Sequence, residues 1–318
     1  MIEQANSDVF APVAGQTARD CWLGYGNALF LEFGQPQPLL DRETHPRGEW
    51  GLWSDNIEWR IEQGNRVIAG SEDDRSTMVA GVHVINGRSF LSCEISPAGD
   101  STLTFSDDVT LHTFVISTEE GANWNFRDQQ GVYSCVRPKP LPAAASKCSP
   151  ETTHAGAEAP QQFYNFLRNS EIWRVAVNVQ HRFEAGYEPS DIDSLRIDFR
   201  SPVLEATDKA SHQPLGSLQV DFNSCGLRLE RTGESIAAGG DSSQNVLTQL
   251  KQLIGKKLLL IDITPPAGDT DFVFEDGLTL RCFPATSRCA DIWSIFSAQG
   301  DELMLGPAGR WSYKGTLR

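Results

Sequence analysis

Apolar residues recur at the spacing of one helical face in two parts of the chain. Val246, Leu247, Leu250, Leu253 and Ile254 follow the positions i, i+1, i+4, i+7 and i+8. Ser242-Ser243 stands before them as a capping signal, and Gly255 follows as a suitable C′ residue. Met78, Val79, Val82 and Ile85 repeat this face earlier, in a weaker helix because Gly81 and the β-branched neighbours lower propensity. Strand patterns cover 29–33, 58–62, 174–183, 195–199, 218–222, 227–230, 258–264, 271–274 and 278–283. Asp276-Gly277 is a hairpin signal between the last two. Trp59 is in phase with Ile57 and Ile61, which makes it a core residue. A helix flanked by runs of strands predicts an α+β domain with an antiparallel meander and one covering helix.

The pattern occurs twice. Residues 87–114 align with 255–283 with 12 identities in 28 positions, at an offset of 168 that becomes 169 after one inserted residue. Trp124 pairs with Trp293, Ala69-Gly70 with Ala238-Gly239, and His45 with His212. LFLEF at 29–33 resembles LRIDF at 195–199. A tandem duplication is therefore expected, with copies at 1–136 and 163–318, a Pro/Ala/Ser-rich linker at 137–162, and the copies packed as a pseudo-two-fold pair.

The chain has 318 residues and a net charge of −15. Such a charge repels phosphate backbones and anionic membrane surfaces, so neither nucleic acid nor membrane is expected as a partner. No apolar run approaches the length of a membrane-spanning helix, and the first residues carry no secretory-signal pattern. Seven cysteines with no CxxC pair point to free thiols in a reducing cytoplasm. The phosphate loop, HExxH and GxSxG motifs are absent, so no catalytic residue, metal or cofactor is assigned. His45 and His212 recur between copies, and a shared structural hydrogen bond accounts for them better than general-base work does.

The copies differ in surface chemistry. Residues 1–136 carry 20 acidic and 8 basic side chains, a charge of −12; the remainder carries 22 and 19, a charge of −3. Five of the eight tryptophans lie in the first part. An acidic field around aromatic anchors suits a basic protein partner. The residues expected to contact it are Tyr25, Glu49, Trp50, Trp53, Asp55, Glu72, Asp73 and Asp74. For the last three, attraction to a helix N-terminus is the competing structural explanation.

LGYGNALFLEFG at 23–34, EW-x-LW at 49–53, IEWRIE and VIAGSEDD within 57–74, and GDSTLTFSDDVTLHTF at 99–114 carry a family resemblance. Together they resemble a group of small bacterial domains of unassigned function. The likeness covers most of the first copy. The second keeps only the hairpin, the AGG turn and the terminal Trp. In general character the chain is similar to immunity proteins of bacterial toxin systems. The expectation is a non-enzymatic cytoplasmic inhibitor that captures a basic partner such as a toxin. The alternatives are an enzyme or small-molecule binder with a site between the copies, and a structural adaptor.

Overall fold

In the computed structural model the chain divides into two compact units. One is Met1–Pro142 with Ala285–Ser287; the other is Ala143–Pro284 with Arg288–Arg318. The described residues are 7–37, 45–54, 57–96, 98–118, 124–130, 133–136, 167, 170–179, 192–200, 217–223, 225–287, 291–297, 302–306 and 310–314. The expected linker at 137–162, Asp55 and His212 lie outside them.

The first unit contains β1 (Ala18–Leu23), β2 (Leu29–Phe33), β3 (Trp50–Ser54), β4 (Ile57–Gln63), β5 (Arg66–Gly70), α1 (Arg75–His83), β6 (Phe90–Ile95), β7 (Ser101–Phe105), β8 (Val109–Val115), β9 (Trp124–Arg127) and β10 (Tyr133–Val136). Its sheets are antiparallel, in the orders β1-β2-β3-β9-β10 and β5-β4-β8-β7-β6. The second unit contains β11 (Glu171–Val179), β12 (Ile192–Arg200), β13 (Ser217–Phe222), β14 (Cys225–Arg231), β15 (Glu234–Ala238), α2 (Ser243–Leu250), β16 (Leu258–Thr264), β17 (Asp269–Phe274), β18 (Leu278–Pro284), β19 (Trp293–Phe296), β20 (Glu302–Gly306) and β21 (Arg310–Lys314). Its orders are β11-β12-β13-β19-β20-β21 and β15-β14-β18-β17-β16. Apart from β21, the two units list their strands in the same order.

The expectation of one sheet covered by a helix is corrected to two sheets per unit. Each strand has one apolar face, and the two sheets bury those faces against each other. Leu29, Leu31 and Leu52 of the first sheet share a core with Trp59, Ile61, Leu103 and Leu111 of the second. The helix does not cover a sheet. α1 packs on the edge strands β1 and β5, and α2 on β11 and β15. Gly81 permits this approach, because a Cβ there would stand 2.2 Å from the Cβ of Ala69.

Both helix starts follow one plan. The Asp74 side chain accepts from the Thr77 N–H at 2.9 Å, and Ser242 from the Asn245 N–H at 3.4 Å. One residue earlier, Asp73 and Asp241 accept from the N–H of Gly70 and of Ala238, each at 2.9 Å. The tandem tryptophans differ. Trp293 donates its indole N–H to Thr270 Oγ1 at 3.0 Å, whereas the buried Trp124 indole N–H has no partner. Ser101 occupies the place of Thr270, and a threonine's branched Cβ restricts χ1. Ser101→Thr is expected to satisfy the Trp124 N–H and raise the thermal midpoint by about 2–4 °C, corresponding to about 1 kcal/mol. An unchanged midpoint would show that the hydroxyl does not reach the indole.

Candidate functional site: the outward face of the first sheet

Alternation along β1, β2 and β3 decides which side chains point away from the core. Cys21, Leu23, Leu29, Leu31, Phe33 and Leu52 are buried in the core. The residues between them point outward. Trp22 lies opposite Phe30, Phe30 opposite Trp53, and Trp53 opposite Asn125. Adjacent strands thus set three aromatic rings side by side. Trp22 and Phe30 stack at 3.9 Å between centroids and 6° between planes. Phe30 and Trp53 follow at 6.4 Å and 12°. His45 also stacks on Trp22, at 4.4 Å and 5°, and its Nδ1 lies 3.2 Å from Asp20 Oδ2.

A second outward row places Asp20, Glu32, Gly51 and Arg127 in register. Arg127 Nη2 donates to Glu32 Oε2 at 2.6 Å, and the Gly48 N–H donates to the same oxygen at 2.8 Å. Burial pushes the Glu32 carboxyl above its ordinary value, against the Gly48 N–H and the Arg127 charge. The carboxylates beside the aromatic row are therefore engaged within the unit. On the outward face of the other sheet, Arg60 donates to Glu62 at 2.7 Å and lies over Phe114. Burial raises the Glu62 carboxyl, but His112 and Arg60 bring it below its ordinary value.

The second unit builds the same positions differently. Register places Ala176, Arg196, Asp221 and Ser294 in the row corresponding to Trp22, Phe30, Trp53 and Asn125. There Arg196 Nε and Nη2 each donate to Asp221 at 2.8 Å. The neighbouring row has Arg174, Asp198, Gln219 and Phe296.

The turn at the end of β1 is held from several sides. Arg75 donates to the carbonyls of Leu23 at 2.9 Å, Gly24 at 2.8 Å, and Gly26. The Trp59 indole N–H donates to the Asn27 carbonyl at 2.7 Å. The Gly24 N–H donates to Ala28 O at 2.8 Å, and the Ala28 N–H to Tyr25 O at 3.3 Å. At its tip the Tyr25 side chain is 99% exposed.

The residues expected from sequence are thus dispersed. Trp53 and Tyr25 lie on the outward side. Trp50 is three residues from Trp53, and a period of two puts it on the opposite face, partly buried against the core. Glu49 accepts from the Gln35 N–H at 3.0 Å. Glu72 is exposed, whereas Asp73 is only 5% exposed. Asp73 Oδ1 accepts from the Thr286 hydroxyl at 2.7 Å, within the segment assigned to the first compact unit. Asp73 and Asp74 thus serve as hydrogen-bond acceptors within the unit, the structural role that the helix N-terminus predicts for them. Sequence reasoning missed Trp22, Phe30, Asp20 and Arg127. Their signal was the alternation in ARDCWL and LFLEF, which sets Trp22 and Phe30 opposite to the buried leucines.

Among the described residues no group of three or more His, Cys, Asp or Glu is placed to hold a metal. A surface depression of about 400 Å³ beside Leu91, Asp107 and Asp108 is lined by no His, Cys or Lys. The chain matches no family model, no curated protein and no solved structure.

Gly51 lets the Arg127–Glu32 pair cross β3. A Cβ there would stand 2.8 Å from Arg127 Nη2 and 3.2 Å from Glu32 Oε1. Gly51→Ala is expected to displace the pair and destabilise the first unit by about 1–3 kcal/mol in urea unfolding. A neutral result would show that the pair moves aside at no cost.

Proposed function

We propose that the protein is a non-enzymatic, cytoplasmic binding protein of the immunity type, in which the first unit captures a basic protein partner. The two units are read as diverged copies of one α+β fold. The observation that carries this reading is the aromatic row of Trp22, Phe30 and Trp53 on the outward face of the first sheet. The equivalent row of the second unit is Ala176, Arg196 and Asp221, so the strand pairing does not require aromatic rings there. Outward aromatic side chains supply contact area at little entropic loss, as binding anchors do. Cys21, Cys93 and Cys225 are free thiols, in keeping with a reducing compartment. Burial raises Cys93 to about 12, which leaves it unreactive as a thiolate.

The acidity acts at longer range. Asp20 and Glu32, the carboxylates of the neighbouring row, are held by His45 and Arg127. The net −12 of residues 1–136 therefore serves to steer a basic partner rather than to pair with it at the row. The test follows this division. An immobilised chain is expected to capture a basic protein from a lysate of its source, and Phe30→Ala with Trp53→Ala to lose it. Arg196→Ala with Asp221→Ala in the second unit is expected to retain it. Raising salt from about 50 mM to about 1 M should slow association and leave dissociation nearly unchanged. Equal loss in both double variants, or a salt effect confined to dissociation, overturns the assignment.

A further inference from the structure

We propose that turn 24–28 is a preformed recognition element that delivers the Tyr25 ring into a recess of the protein partner, with Arg75 as its positioning residue. The proposal rests on the reading of the first unit as the binding unit. Among the described residues Tyr25 is the most exposed of the large apolar side chains, at 99%, on a turn whose carbonyls are all engaged. Every carbonyl from residue 23 to 28 accepts a hydrogen bond: Arg75 serves three, the Trp59 indole one, and turn N–H groups the other two. Ordering a residue costs about 1–2 kcal/mol, and here that is already lost before any partner arrives. The saturated carbonyls also leave recognition to side chains, so the turn does not present itself as a strand edge. A phenol, apolar in the ring and polar at the tip, fits an apolar recess with a polar group at its base.

Arg75 is placed for the turn, not for its helix. It is the first residue of α1, where the helix dipole disfavours a positive charge by about 0.3–1 kcal/mol. The second unit has Ser243 there, directly after its cap Ser242. The three carbonyls account for the arginine, and the planar guanidinium fork suits them as a lysine would not.

Chymotrypsin reads this in the intact chain, because cleavage after an exposed aromatic requires the local backbone to open. Arg75→Met is expected to be cut after Tyr25 at least about tenfold faster than wild type, corresponding to about 1.4 kcal/mol of opening free energy. Adding Tyr25→Ala should abolish that cut. Equal cutting of wild type and Arg75→Met overturns the positioning role. Should Arg75→Met not fold, hydrogen exchange of wild type decides: the Gly24 and Ala28 amides should be protected about a hundredfold or more, and unprotected amides overturn the proposal. A Tyr25→Ala chain that holds the captured basic partner with undiminished affinity overturns the delivery. If no basic partner is captured at all, the parent reading fails while the turn stays protected, and the proposal falls with it.

Discussion

The Trp59 indole joins the two sheets of the first unit, and the outward face depends on it. The ring sits in the shared core, on β4 of the second sheet, between β5 and β8. Its N–H reaches the Asn27 carbonyl, in the turn of the first sheet. Its backbone N–H donates to the Ser71 hydroxyl, and its carbonyl accepts from the Ser71 N–H, just ahead of α1. One residue therefore fixes the β1–β2 turn and the entry to the helix that carries Arg75. A buried indole without an acceptor costs free energy, so the pairing stabilises the turn it reaches.

With the inward faces committed to the core, the outward faces are free to differ. In the first unit that freedom produces stacked rings beside an ion pair; in the second it produces Arg196 on Asp221. The basic side chains show the same division. Residues 1–136 contain no lysine, and all eight of their basic residues are arginines. Arg60, Arg75, Arg88 and Arg127 hold carboxylates or carbonyls of their own unit. A planar fork that grips several oxygens at once suits such internal work. The acidic excess is thereby left to act through the surrounding water.

Much of this was legible in the chain. Trp59 is buried in phase with Ile57 and Ile61, α2 begins after Ser242, and Gly255 carries the positive φ of 82° that a C′ residue adopts. These features depend on a few neighbouring residues. The division into two sheets was not legible, because it is decided by which distant strands pair. β9 returns to β3 across more than 70 positions, and Arg75 reaches a turn about 50 residues away. Trp50 and Trp53 lie three residues apart on β3, and a period of two sends them to opposite faces. Asp73 and Asp74 look like surface charge in sequence, and only their backbone partners show them to be caps and anchors.

The contact between His45 and Trp22 has an optical consequence. An imidazole lying flat on an indole at 4.4 Å is an efficient modulator of its emission, and the contact is made at the edge of the outward face. Any molecule that settles on that face and shifts His45 changes the light from Trp22. Trp59 and Trp124, sealed in the core, supply a steady background. The first sheet thus carries its own reporter, and occupancy of its surface can be followed without attaching a dye.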